Sequence, residues 1–153
     1  MVSSKGMMLI VLVDDDPSDC ELIRRSLEGT SRPIEFVSLG SGPEALDYLR
    51  REGQWSDADS SRIPDLLILD LEMPGMRGQE VLARIRSDPS IPYFPVVVLT
   101  SSDDPKDVAG CYQDGANSYV VKPFGVDPFI ETIDLIERFW LDAAYLRRPG
   151  VEA

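Results

Sequence analysis

Histidine is absent from the 153 residues. Its absence removes imidazole acid–base catalysis, Ser-His-Asp triads and His-ligated metal sites. Any chemistry must come from carboxylates, hydroxyls, lysine and the backbone. Cysteine is scarce as well: Cys20 and Cys111 make no disulfide framework and read as free thiols of a reducing compartment. Positive charge is thin, with 15 Lys+Arg against 27 Asp+Glu and a net charge of −12. That balance argues against a phosphate-backbone binder, which needs a clustered basic surface, and against a polybasic membrane anchor. Long apolar runs are missing too. Met7–Val13 is apolar, but Asp14 ends it far short of the ~20 residues that span a bilayer. Met1–Lys5 carries one positive charge and leads into no small-residue cleavage site, so no signal peptide is expected. The expected location is the cytoplasm, with no nucleic-acid or membrane partner.

The length fits one domain, since a chain of this size buries about 69% of its unfolded surface in a single core. Short apolar or β-branched runs at Met8–Val13, Phe36–Ser38, Leu66–Leu69, Val96–Leu99 and Tyr119–Val121 have the look of strands buried on both faces. Between them, Pro17–Glu28, Pro43–Glu52, Gly78–Arg86, Pro105–Asp114 and Pro128–Tyr145 place apolar residues at helical spacing. The alternation predicts an α/β fold, a five-stranded parallel sheet flanked by five helices. Asp16-Pro17, Asp104-Pro105 and Asp127-Pro128 read as N-cap carboxylates before a first-turn proline, and Ser41-Gly42-Pro43 as a weaker form of the same device. Residues 53–62 (GQWSDADSSR) are polar and read as a surface loop.

In such sheets, ligands collect outside the carboxyl ends of the strands. The runs end in Asp14-Asp15-Asp16, in Asp70-Leu71-Glu72-Met73-Pro74-Gly75, in Thr100-Ser101-Ser102 and in Lys122-Pro123-Phe124. Carboxylates, a hydroxyl and a lysine therefore converge on one edge. Two carboxylates ~4 Å apart repel by about 4 kcal/mol at an effective dielectric of ~20. They stay ionised together only around a cation, or else one is protonated. Oxygen donors without His or Cys select Mg²⁺, Mn²⁺ or Ca²⁺ over zinc. Mg²⁺ held by one or two carboxylates leaves room for a phosphoryl oxygen, which Lys122 and Thr100 could also hold.

VLVDDDP, LLILDLEMPGMRG, VVVLTSS and SYVVKPF, in that order and each at a predicted strand end, resemble the receiver domain of two-component response regulators. The spacings agree, with 30 residues from Asp70 to Thr100 and 22 from Thr100 to Lys122. The resemblance implies a doubly wound, flavodoxin-like fold. It makes Asp70 the phosphoryl acceptor in a signalling module that assists its own phosphorylation and dephosphorylation but is not an enzyme. Asp15 would bind Mg²⁺ (or Mn²⁺) directly, Asp14 mainly through a water, and the Glu72 backbone carbonyl and Asp70 would complete the metal's protein ligands. Lys122 would pair with the phosphoryl group and Thr100 would bond it. Tyr119 would be the aromatic switch, and Lys122-Pro123 a cis peptide bond. The plainer readings are that Tyr119 only packs, that Met73-Pro74 shapes a turn and that Asp16 is a cap. The Glu72 side chain is either a solvated loop charge or a neighbour of the water that hydrolyses the phosphoaspartate.

The resemblance runs from about Met8 to Phe139. This predicts an N-terminal extension over 1–7, a receiver over 8–139 and a helical extension over 140–153, with no output domain. The partner would be a sensor histidine kinase or histidine phosphotransfer protein, because the donor histidine must come from elsewhere. The long insertion between Asp15 and Asp70, the apolar stripe Phe139, Trp140, Ala143 and Ala144, and the wording TSSDDP and ANSY are similar to single-domain regulators paired with phytochrome-type kinases. Those regulators form homodimers through the last helix and its extension; the other reading folds Phe139 and Trp140 back onto their own domain. Two alternatives stand beside the phosphoacceptor. One is a binding-only receiver. The other is a haloacid-dehalogenase-type phosphatase, suggested by Asp70-x-Glu72 but opposed by the early position of Asp14-Asp15 and the lack of room for a cap domain.

Overall fold

A computed structural model describes residues 7–30, 32–57 and 63–144. Its strands follow the apolar runs. β1 (Met8–Val13), β3 (Leu66–Leu69) and β4 (Val96–Thr100) are buried at every position. β2 (Ile34–Leu39) and β5 (Ser118–Val121) are less so, because they are the edges of a parallel sheet with order β2-β1-β3-β4-β5. β2 outruns the Phe36–Ser38 expectation. Its pairing with β1 extends from Met8↔Ile34 to Val13↔Leu39, and an edge strand tolerates the exposed Glu35 and Ser38 that interrupt its apolar pattern.

Alternate strand residues face opposite sides, so each strand feeds two cores. On one side α1 (Pro17–Glu28) and α5 (Val126–Glu137) bring Ile23, Leu27, Phe129 and Ile133 against Ile10, Leu12, Ile68 and Val97. On the other, α2 (Gly42–Arg50), α3 (Gly78–Ser87) and α4 (Pro105–Gln113) bring Leu46, Val81, Leu82 and Cys111 against Val11, Val13, Leu69 and Val98. This is the doubly wound arrangement. No helix among the described residues is long and apolar enough to cross a membrane. Both cysteines are free.

Three caps form as the sequence predicts. Asp16 accepts the amides of Ser18 and Asp19 at 2.8 and 3.3 Å, Asp104 that of Lys106 at 2.9 Å, and Ser41 that of Glu44 at 3.2 Å. The Asp127-Pro128 expectation fails. α5 begins at Val126 with Gly125 as its cap residue, and Asp127 lies in the first turn. Gly125 has φ 94°, a left-handed conformation glycine adopts without steric cost, so the chain enters the helix ahead of the Asp-Pro signal.

The predicted helix to Tyr145 is also corrected. α5 stops at Glu137, and Arg138–Ala143 form a wider π-type turn in which the Ala144 amide reaches back to the Phe139 carbonyl at 2.6 Å. That widening turns Leu141 inward, 4% exposed, with Trp140 packed beside it, and leaves Phe139 55% exposed. Residues 145–153, the rest of the expected extension, and residues 1–6 lie outside the described residues. The start of the polar 53–62 segment, over the described residues 53–57, is more anchored than its composition suggests. Gly53–Trp55 make a 3-10 turn, and the Trp55 ring stands edge-on to Tyr48 with centroids 5.0 Å apart. Residues 58–62 are outside the description.

Asp88, just past α3, accepts the Ser90 hydroxyl at 2.6 Å, the Ser90 amide at 2.9 Å and Arg50 Nε at 2.8 Å. Ser90 first, then Arg50, hold its carboxyl down at about 2. A depressed acid stabilises the fold above its unfolded value and loses that contribution as pH falls through the folded value. Asp88→Ala should therefore melt below wild type at neutral pH, with the gap closing between about 4 and about 2. Thermal melts across that range check it, and a gap that does not change with pH would refute it.

Candidate functional site

The carboxyl edge of the sheet is built by backbone bonds that continue one residue past the strands. The Asp14 amide donates to the Leu39 carbonyl at 3.0 Å, Asp70 to Val13 at 2.9 Å, and Lys122 to Thr100 at 2.7 Å. Each residue is thereby fixed by the neighbouring strand before its chain turns into a loop. Lys122-Pro123 departs from expectation here. No peptide bond among the described residues is cis, and trans is the ground state of an X-Pro bond by about 0.5–1 kcal/mol.

A cavity of about 520 Å³ opens over this edge, lined among others by Asp15, Asp19, Asp70, Glu72, Ser101 and Lys122. Asp14 and Asp70 are buried and Asp15 is exposed, yet carboxylate oxygens of all three lie within 4.8 Å of one another. Asp14 also accepts the Asp16 amide at 2.9 Å. Asp70 accepts the Glu72 amide at 3.5 Å, while the Glu72 side chain is exposed on the cavity rim. Burial pushes the Asp14 carboxyl above its ordinary value, opposed by the Asp16 amide and by Lys122. Asp70 is raised for the same first reason; the Lys122 charge opposes, the Asp14 charge adds, and the Glu72 amide and Thr100 hydroxyl pull it back down. Crowded, partly desolvated carboxylates with only oxygen donors fit a hard divalent cation, whose charge would relieve both burial and mutual repulsion.

Lys122 sits among these acids with its side chain 9% exposed. Nζ donates to Asp14 Oδ2 at 2.9 Å and Asp19 Oδ2 at 2.8 Å, and stands 3.6 Å from Asp70 Oδ2. Burial works against the ammonium, but the bonds to Asp19 and Asp14 outweigh it and hold Lys122 above its ordinary value. Thr100 is fully buried, and its Oγ1 accepts the Ser102 amide at 3.4 Å. Tyr119 packs against the α3/α4 core, and its hydroxyl donates to the Ser102 carbonyl at 2.8 Å. Ser102 in turn donates its hydroxyl to Asp107 at 2.6 Å. Tyr119 is therefore tied to the loop after Thr100.

Asp15, Asp70, Glu72 and Lys122 thus line one cavity, with the buried Asp14 bonded to Lys122 and the buried Thr100 hydroxyl beside the Asp70 carboxyl, and Tyr119 one loop away. Sequence reasoning missed Asp19. An acid in a helix's first turn usually complements the helix dipole, and only its place on a helix springing from an acidic strand end marked it out. It also missed the link from Tyr119 through Ser102 to Asp107, which joins residues of separate elements.

A parallel sheet of this order, carrying an acid pair, a lone aspartate, a hydroxyl and a lysine on its carboxyl edge, defines a two-component receiver domain. The chain belongs to that family: the response regulator receiver domain profile matches residues 10–134. Among known proteins it is similar to the response regulator Rcp1 of Synechocystis sp. (strain PCC 6803), 33% identical over 138 residues, covering 90% of this chain and 92% of Rcp1. The structure of the phosphorylated cyanobacterial phytochrome response regulator RcpA superposes with a TM-score of 0.87 at 39% identity, covering 93% of this chain and 99% of RcpA. The Mn²⁺-bound form of Rcp1 superposes at 0.85 and 33% identity, covering 92% and 99%. The family assignment withdraws support from the phosphatase alternative.

Proposed function

We propose that the chain is a phosphoaccepting response regulator that takes a phosphoryl group onto Asp70 from a partner's phosphohistidine and signals by protein contact. The observation that carries this reading is the meeting of the Asp70 carboxylate, the Lys122 ammonium and the Asp14/Asp15 pair at one solvent-open cavity. An Asp70 oxygen would form the new bond to phosphorus as the bond to the donor's imidazole nitrogen breaks. Lys122 and the Thr100 hydroxyl would hold phosphoryl oxygens. Asp14, Asp15, Asp70 and the Glu72 main-chain carbonyl would hold Mg²⁺, or Mn²⁺ as in the Mn²⁺-bound form of Rcp1. That cation supplies the charge that lets two anions approach. Tyr119, through Ser102, would report the state of the Thr100 loop to the α4 side of the domain.

The receiver would span 8–139 in the cytoplasm. The likeness to RcpA, by name a phytochrome response regulator, favours a phytochrome-type histidine kinase as partner. The segment from 140 onwards would be a contact arm. Leu135 and Phe139, one turn apart on α5 and the turn after it, are exposed apolar side chains, and such a pair on a small domain favours a homodimer.

The test is the intact mass after incubation with acetyl phosphate, with and without Mg²⁺. A single Mg²⁺-dependent phosphoryl adduct supports the reading. No adduct together with no beryllofluoride binding makes this a binding-only receiver. For the arm, truncation from Leu141 would remove a core side chain, so substitution is the cleaner test. Leu135→Glu with Phe139→Glu should lower the sedimentation coefficient to that of a monomer and leave adduct formation intact. An unchanged coefficient counts against a homodimer through the end of the last helix.

A further inference from the structure

The Asp19–Lys122 ion pair has no part in the roles assigned above. Asp19 is the third residue of α1, and its amide is held by the Asp16 cap at 3.3 Å, so its backbone is fixed relative to the strand edge. Its carboxylate is 25% exposed and lies on the α1 side of the ammonium. An ammonium has three N–H donors. Lys122 uses one on Asp14 at 2.9 Å and one on Asp19 at 2.8 Å, and Asp70 at 3.6 Å is beyond hydrogen-bond length. One donor is therefore left on the Asp70 side.

We propose that Asp19 is a positioning residue: it anchors Lys122 from α1 so that the remaining N–H is aimed at an oxygen of the phosphoryl group on Asp70. The inference rests on the phosphoacceptor reading. Charge alone does not explain Asp19. The ammonium already has Asp14 and Asp70 beside it, and one more carboxylate on an anion-accepting cavity repels the incoming group. What Asp19 adds is geometry. A lysine head on a flexible four-carbon stem carries no fixed direction, and two acceptors on separate elements supply one.

The probe is beryllofluoride with Mg²⁺, titrated calorimetrically into wild type, Asp19→Ala, Asp19→Asn and Lys122→Ala. Asp19→Ala should bind beryllofluoride about tenfold more weakly, the loss of one hydrogen bond to a charged group. Its affinity for Mg²⁺ alone should be unchanged. Asp19→Asn keeps a carbonyl acceptor in the same place and should recover most of the loss, while Lys122→Ala sets its upper limit. Equal or tighter beryllofluoride binding by Asp19→Ala overturns the proposal, since Asp19 would then only repel anions. A parallel fall in Mg²⁺ affinity also overturns it, since the effect would then run through the acid cluster. Failure of wild type to bind beryllofluoride at all would refute the phosphoacceptor reading itself and take this inference with it.

Discussion

Asp70→Asn is expected to abolish the phosphoryl adduct while the fold persists. The amide is neutral and a poor nucleophile, so the step that forms the oxygen–phosphorus bond has no electron pair of comparable reactivity. Asp14 is committed to the Asp16 amide and Lys122, and Asp15, with a carboxylate oxygen within 4.8 Å of those of Asp14 and Asp70, would hold the cation. Stability should move the other way. Burial and the Asp14 charge push the Asp70 carboxyl above its ordinary value. A carboxyl raised in the folded state gives up stability as pH rises past its unfolded value, because folding then disfavours the ionised form. The neutral isostere removes that penalty, so in EDTA at neutral pH the variant should melt no lower than wild type. A hydroxylamine-labile adduct surviving in Asp70→Asn would refute the assignment of Asp70. A lower melting temperature would refute the electrostatic argument alone.

Gly78→Ala should be strongly destabilising, where local propensity predicts the reverse. Gly78 opens α3, and alanine inside a helix is favoured over glycine by roughly 0.8–1.0 kcal/mol. A Cβ at that position, however, would lie 2.1 Å from the Asp70 carbonyl oxygen and 2.8 Å from Leu71 Cα. Both are backbone atoms that cannot rotate away. The Asp70 amide is itself bonded to Val13, and the Gly78 amide to the Leu71 carbonyl at 3.0 Å, so relief requires moving the loop that carries the acceptor. Overpacking of this kind costs about 1–3 kcal/mol, occasionally more, and the upper end is expected here. Phosphorylation should slow together with the loss of stability, because the same loop holds Asp70. Urea unfolding measures the first and adduct formation the second. A variant as stable as wild type would mean that α3 can stand further from the Asp70 loop than the structure shows.

Features encoded by local pattern were legible in the chain before folding. Continuous apolar runs bounded by acids or turns marked β1, β3 and β4, because a strand buried on both faces leaves no room for polar residues. Asp-Pro pairs marked the starts of α1 and α4, where one side chain caps an amide that has no other partner. The strand-end residues Asp14, Asp15, Asp70, Thr100 and Lys122 were legible for the same reason: in a parallel sheet, the end of each apolar run maps to one edge. Tertiary structure decided the features that depend on contacts between elements. Edge position let β2 carry polar residues within its run. The left-handed Gly125 overrode the Asp127-Pro128 signal, and the end of α5 passes into a wider turn with Leu141 buried in the core. The bond from Asp19 to Lys122 joins α1 to the end of β5 across 103 residues. No local pattern encodes such a pair, because its distance exists only after both elements have packed on the sheet.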